Sequence, residues 1–240
     1  MTVPPGSAAA IVLAAGRSER LADAVPKPFR SLVGRRILDY SLVALQGATS
    51  VGSIVVVVPE ALRDDLAPVL LATPKVRAVV AGGSSRQESL ARGLAGLPDA
   101  AGVVVVHDAA RPLVTAGAVD EVVAAVSGEF DGAISAIPVD DAIKEVASGG
   151  GIVAPCSRDG LWRAQTPQAF RRHCIEASVT KALADGVVCD DCSEMATRAG
   201  FRVRVVAGSP RNVKVTRPGD LELCAALLGM QPAAPPKVAT

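Results

Sequence analysis

An α/β fold, with a mostly parallel twisted sheet and helices on both faces, is predicted by three features of this 240-residue chain. Strand-like runs recur along its length with helical stretches between them. Several of these runs are nearly unbroken Val and Ile, the pattern of strands buried on both faces. Half of the residues are hydrophobic while aromatics make up only 2%, so the core is to be built from Val, Ala, Leu and Ile.

Taken in order, the first strand falls at 8–13 and empties into the small-residue turn Ala14-Ala15-Gly16. Further strands are expected at 53–58, 76–80, 102–106, 132–137 and 202–206. Amphipathic spacing marks helices at 37–46, 86–97, 118–126 and 221–228. Alternation of this kind gives parallel strands joined by helical crossovers, a Rossmann-like layout. The stretch 139–165 breaks the rhythm. There IKEV (143–146) and Ile152-Val153 flank Ser148-Gly149-Gly150-Gly151, the signature of a β-hairpin with a loose glycine turn. A hairpin arm protruding from an α/β body has its own apolar face to cover, and a subunit contact or a lid would each do so. Residues 1–230 are expected to form one domain including this arm, and the Pro- and Ala-rich 231–240 a flexible tail.

Composition narrows the partners. With 25 basic and 24 acidic residues the net charge is +1, so no polyanion-binding surface is expected, and the scarcity of rings removes stacking platforms for nucleic acid. No window approaches the roughly 18 uninterrupted apolar residues of a membrane span. A cytoplasmic protein that binds neither membrane nor nucleic acid is expected. Five irregularly spaced cysteines fit reduced thiols. Cys189 and Cys192 form a C-x-x-C, yet no second pair or nearby His completes a zinc site, and Asp190-Asp191 between them would raise thiol pKa. The pair is read as a coincidence of composition.

Ligands of open parallel sheets bind beyond the carboxyl ends of the strands, and four features fall at such ends. The first is the loop from Ala14 to Lys27, where bare backbone precedes Arg17, Arg20 and Lys27. It suits a polyphosphate, and an ordinary βα turn equally. The second, Gly82-Gly83-Ser84-Ser85 with Ser89 one helical turn on, suits a base or ribose, or a plain βα loop with a serine N-cap. The third is VVVVHDAARP: Asp108 at a strand end is sited for Mg²⁺, His107 reads best as a packed histidine, and Arg111 offers a phosphate fork. The fourth is Lys214, expected on a short strand at 211–216, either snorkelling at an edge or ligating phosphate. The G-x-G-x-x-G, G-x-x-x-x-G-K-[ST] and G-x-S-x-G motifs are all missing.

LAAGRSERL with VPKPF, AGGSSRQESL, VHDAARP, IPVDDAIKEV, RDGLWRAQTPQAF and NVKVTRPGDL, in this order from Leu13 to Leu221, resemble the 2-C-methyl-D-erythritol 4-phosphate cytidylyltransferases. The related ribitol-5-phosphate cytidylyltransferases share much of the set. The resemblance implies CTP and a polyol phosphate as substrates, with Mg²⁺ or another divalent cation. It implies that the backbone of Ala14, Ala15 and Gly16 cradles the triphosphate, that Arg20 and Lys27 stabilise the transferring phosphorus, and that Gly83, Ser84 and Ser89 read cytosine. Asp108 would hold the metal, and Arg158 and Lys214 would position the acceptor phosphate. It further implies a homodimer interlocked through the hairpin arm. Three positions depart from the family pattern: Ser18 where glycine is usual, Pro28 where glutamine is usual, and Ala142 where a threonine contacts substrate across the dimer. A nucleotide-binding module without catalysis is the third reading; the retained Arg20, Lys27, Asp108 and Lys214 argue against it.

Overall fold

The computed structural model describes residues 4–16, 25–98 and 100–230. In order it contains β1 (Ala8–Leu13), β2 (Ser31–Leu32), β3 (Arg35–Arg36), α1 (Ile37–Gly47), β4 (Val51–Val58), α2 (Arg63–Leu71), β5 (Val76–Ala81) and α3 (Arg86–Ala95). There follow β6 (Val103–Asp108), α4 (Ala116–Ala124), β7 (Gly132–Pro138), β8 (Ile143–Val146), β9 (Ile152–Cys156), β10 (Trp162–Arg171), α5 (Arg172–Ala184), α6 (Cys192–Arg198), β11 (Val203–Ala207) and α7 (Pro218–Gly229). The expectations for Arg17, Ser18, Arg20 and the tail 231–240 lie outside the described residues.

Seven strands share one sheet in the order β11-β7-β10-β6-β1-β4-β5. β1 pairs parallel with β4 and β6, β4 with β5, and β7 with β11. Only β10 runs antiparallel, against β6 and β7. The sheet is mostly parallel, as expected, and the six strands anticipated between 8 and 206 are present. β10, α2, α5 and α6 were not among the expected elements.

Side chains alternate across a strand, and β1 shows what that does here. Ala8, Ala10 and Val12 join a core with Leu38, Leu42 and Leu45 of α1 and Val119 and Val122 of α4. Ala9 and Ile11 face the other way, onto Leu90 and Leu94 of α3, Ile175 and Val179 of α5 and Met195 of α6. The central strand is buried on both faces, which is why its sequence reads as apolar throughout. Truncating Ile11, fully buried, to alanine would cost about 2–5 kcal/mol.

β8 and β9 form a separate two-stranded hairpin, Ile143 opposite Cys156, closed by an Ala147 N–H to Gly151 carbonyl bond of 2.9 Å. Gly150 turns there with φ +81°, a conformation glycine adopts without a Cβ penalty. The irregular stretch ends earlier than 165, because Trp162, Arg163 and Ala164 already pair with β7. The segment 211–216 is not a strand. It is an extended loop attached by one ladder-like bond, Val215 N–H to the Ala110 carbonyl at 2.8 Å.

Candidate active site

Three loops meet at the carboxyl ends of β1, β5 and β6. β1 and β6 run in register, with Leu13 beside Asp108, and the Ala109 amide donates to the Leu13 carbonyl at 3.0 Å. The two chains therefore leave the sheet side by side. The β5–α3 turn closes in because Gly82 has no side chain: a Cβ there would lie 2.2 Å from that of Ala15. Between these loops lies a cleft of about 400 Å³, within the size range of small-molecule sites. Ala15, Gly16, Lys27, Gly83, Ser84, Ser89, Asp108 and Lys214, drawn from segments up to two hundred residues apart, all line it. Arg86 lines it as well, so three cations stand against the single carboxylate of Asp108 among the described lining residues.

Asp108 is the electrostatic centre. Its side chain is 13% exposed, with Oδ1 accepting from Arg86 Nη2 at 3.2 Å and Oδ2 from Lys214 Nζ at 2.8 Å. Burial opposes its charge, yet Arg86 and Lys214 hold the carboxyl well below the usual range. Behind it His107 is fully buried, and burial pushes its pKa down to about 4. The neutral ring fits its partners: Thr166 Oγ1 lies 3.1 Å from Nδ1, and Nε2 lies 3.2 Å from the Arg111 carbonyl. Thr166 Oγ1 also accepts the Asp108 amide at 3.0 Å, so one hydroxyl fixes both residues. The packed-histidine reading is the correct one.

The loop from Gly82 to Ser89 is held from within. Gly83 N–H donates to Ser89 Oγ at 3.1 Å, and Ser84 donates from both amide and hydroxyl to Glu88 Oε2 at 2.8 and 2.9 Å. Ser85 Oγ caps α3 by accepting from the Glu88 amide. The Gly83 and Ser84 amides are therefore already engaged, as are the Gly82 carbonyl with Arg92 Nη1 at 2.8 Å and the Ser85 carbonyl with the Ser89 amide at 3.0 Å, while the Ser89 hydroxyl keeps its own hydrogen to donate. Lys214 is set by Asp220, whose carboxylate accepts from Thr216 N and Oγ1 and from Arg217 N at 2.6, 2.8 and 2.7 Å.

The model of one family, 2-C-methyl-D-erythritol 4-phosphate cytidylyltransferase, matches residues 8–230. The chain belongs to this family. A Frankia casuarinae protein of that name is 42% identical over 220 residues, spanning 92% of this chain and 80% of the relative. One from Syntrophus aciditrophicus is 37% identical, with 91% and 94% covered. The fold follows: the 4-diphosphocytidyl-2C-methyl-D-erythritol synthase from Anaerococcus prevotii superposes with a TM-score of 0.81 at 25% identity, over 93% of this chain and 96% of that one.

Four expected positions stand apart from the cleft of this cytidylyltransferase-family chain. The Ala14 amide donates to the Val57 carbonyl at 2.8 Å and completes the sheet, so its N–H is not offered to a phosphate; Ala15 and Gly16 are the exposed part of that turn. Arg111 is a correction. It is 9% exposed, with Nη1 on the Asn212 carbonyl at 2.8 Å and Nη2 on the Ala164 carbonyl at 3.2 Å, so it braces the floor beneath Asp108 instead of presenting a fork. Arg158 and Ala142 are exposed residues of the arm outside the cleft lining, and Arg158 Nη1 donates to the Asp140 carbonyl. Sequence reasoning also missed Arg86, Glu88, Thr166 and Asp220. Ser85-x-x-Glu88 has capping-box spacing, and a cation in the first turn of a helix, such as Arg86, opposes the dipole and asks for a local anion. Thr166 left no such signal.

Proposed function

We propose that the protein binds CTP in this cleft and transfers its cytidylyl group to 2-C-methyl-D-erythritol 4-phosphate, releasing pyrophosphate. The observation that carries the reading is the convergence of Lys27, Asp108, Lys214 and the Ala15-Gly16 backbone on one cavity in a chain of this family. The acceptor phosphate attacks the α-phosphorus in line; the new P–O bond forms as the bond to the bridging oxygen breaks, and the electron pair leaves with pyrophosphate. The nucleophile is an anion at neutral pH, so no general base is required. Catalysis is then positioning and charge neutralisation.

In this reading Ala15 and Gly16 support the phosphates, with Lys27 and Arg20 neutralising the α-phosphorus; Arg20 lies outside the described residues. The Gly83–Ser89 region takes the base, and Lys214 takes the acceptor phosphate. A divalent cation such as Mg²⁺ fits an ionised carboxylate with few acidic neighbours, because Mg²⁺ is completed by phosphate oxygens and water; among the described residues no group of three ligating side chains forms a protein-only metal site. Asp108 would hold that cation, which would supply further charge neutralisation at the triphosphate. Arg158 and Ala142 enter an active site only if the arm crosses to a second copy. The arm supports a homodimer: Val146, Ile152, Val153, Leu161 and Trp162 are exposed apolar side chains on or beside it. Five free thiols suit a cytoplasmic location, and no described helix is long and apolar enough to cross a membrane.

Pyrophosphate release with CTP and Mg²⁺ tests the acceptor. Turnover is expected with 2-C-methyl-D-erythritol 4-phosphate and at least about 100-fold lower kcat/KM with ribitol 5-phosphate. Turnover confined to ribitol 5-phosphate would replace the acceptor, and none with either would remove the reading.

A further inference from the structure

Arg86 has no part in the chemistry described so far, yet its guanidinium is more enclosed than the ammonium of Lys214. Nη2 donates to Asp108 Oδ1 at 3.2 Å and Nη1 lies 3.4 Å from the sulfur of Cys192, which is fully buried. The Arg86 side chain is 25% exposed, that of Lys214 44%. The two cations on Asp108 thus differ in kind. One is seated between two elements with a wall of protein behind it; the other lies at the rim, on a loop. Cys192 is itself held, its amide donating to Gln168 Oε1 at 3.1 Å and Gln168 Nε2 donating to Asp191 Oδ2 at 2.8 Å. β10 and the start of α6 therefore fix where the guanidinium can lie.

We infer that Arg86 is a positioning residue which keeps Asp108 paired through Oδ1, so that Lys214 can leave Oδ2 for the acceptor phosphate. The inference rests on the functional reading above. A carboxylate this buried cannot be left without a counter-charge when its lysine moves away. With Arg86 in place the exchange trades one anion for another at Lys214 and strands neither partner. Without it, Lys214 is the only cation paired with Asp108 among the described residues, and until a divalent cation sits on the carboxylate it stays there. The planar fork matters too, because an ammonium cannot reach the carboxylate and lean on the Cys192 sulfur in one geometry.

The test uses the whole protein and Arg86→Met, a substitution that keeps most of the volume and removes the charge. Acceptor binding is measured by calorimetry in the presence of the α,β-methylene analogue of CTP, alongside steady-state kinetics. Arg86→Met is expected to weaken 2-C-methyl-D-erythritol 4-phosphate binding and raise its KM by about 10-fold or more, with kcat at saturating acceptor and affinity for the CTP analogue each within about 3-fold of wild type. Arg86→Lys is expected to recover part of the acceptor affinity. A merely structural role would instead lower kcat and CTP affinity together, and that pattern, or unchanged acceptor affinity in Arg86→Met, overturns the inference. If Arg86→Met does not fold, Arg86→Lys decides: a raised acceptor KM at unchanged kcat is expected, and wild-type KM overturns it. Lack of turnover by the wild-type protein would count against the functional reading, whereas turnover with an insensitive Arg86→Met removes only this inference.

Discussion

His107 shows how a residue one position from the cleft can matter for stability without touching a ligand. Its folded pKa of about 4 lies below the ordinary value of 6.5 because the ring is buried. Between those values the unfolded chain binds a proton that the folded chain refuses, so stability falls as pH drops through this window and no further below it. The total is on the order of 3 kcal/mol. Denaturant unfolding of wild type and His107→Gln across the window is expected to show a slope in the first and a much flatter line in the second; equal slopes would locate the proton uptake elsewhere. Residue identities were legible where chemistry is local. Lys27, Asp108 and Lys214 could be named from their motifs, and the cleft gathers them. The role of Arg111 was not, because a guanidinium that binds phosphate and one that binds buried carbonyls look the same in a sequence. Only the positions of Ala164 and Asn212, distant in the chain, decide between them.

At the scale of elements, the expected central strands β1, β4, β6 and β7 share a property: each is a short Val-, Ile- or Ala-rich run whose burial needs no special partner. β10 is the opposite case. WRAQTPQAFR carries two arginines, two glutamines and a proline, a poor strand by propensity, and it is stabilised by tertiary bonds. Gln165, Thr166 and Gln168 are buried and each is hydrogen-bonded to groups far away in sequence. Polar residues this buried are tolerable only with such partners, which no periodicity reveals. The loop carrying Lys214 follows the same logic, being pinned by Asp220 at the start of α7 and not by strand pairing. Asp220→Ala is expected to cost about 1–2 kcal/mol of stability through the lost cap and, by freeing the Lys214 loop, to raise the acceptor KM by about 5-fold or more. Unaltered kinetics in a destabilised variant would confine Asp220 to capping.

For the whole molecule, alternation of strands and helices made a two-faced, mostly parallel sheet legible, because only that arrangement buries apolar strands on both sides. Strand order was not legible, since inserting β10 antiparallel between β6 and β7 depends on the same long-range bonds. The arm's apolar surface has its consequence at this scale. If the arm builds the proposed homodimer, Ile152→Glu is expected to shift it from dimer to monomer in sedimentation and to lower kcat/KM with it, because in that proposal Arg158 serves a second cleft; a dimer unchanged by the charge would take the contact away from the hairpin, and a wild-type monomer would remove the proposed dimer. The most direct test of one cation-lined cavity serving both substrates is Lys214→Ala, assayed with CTP and 2-C-methyl-D-erythritol 4-phosphate. A fall in kcat/KM of at least about 100-fold, with CTP affinity by calorimetry held within about 3-fold, is expected; turnover at the wild-type rate would contradict a cleft that works by gripping both phosphates at once.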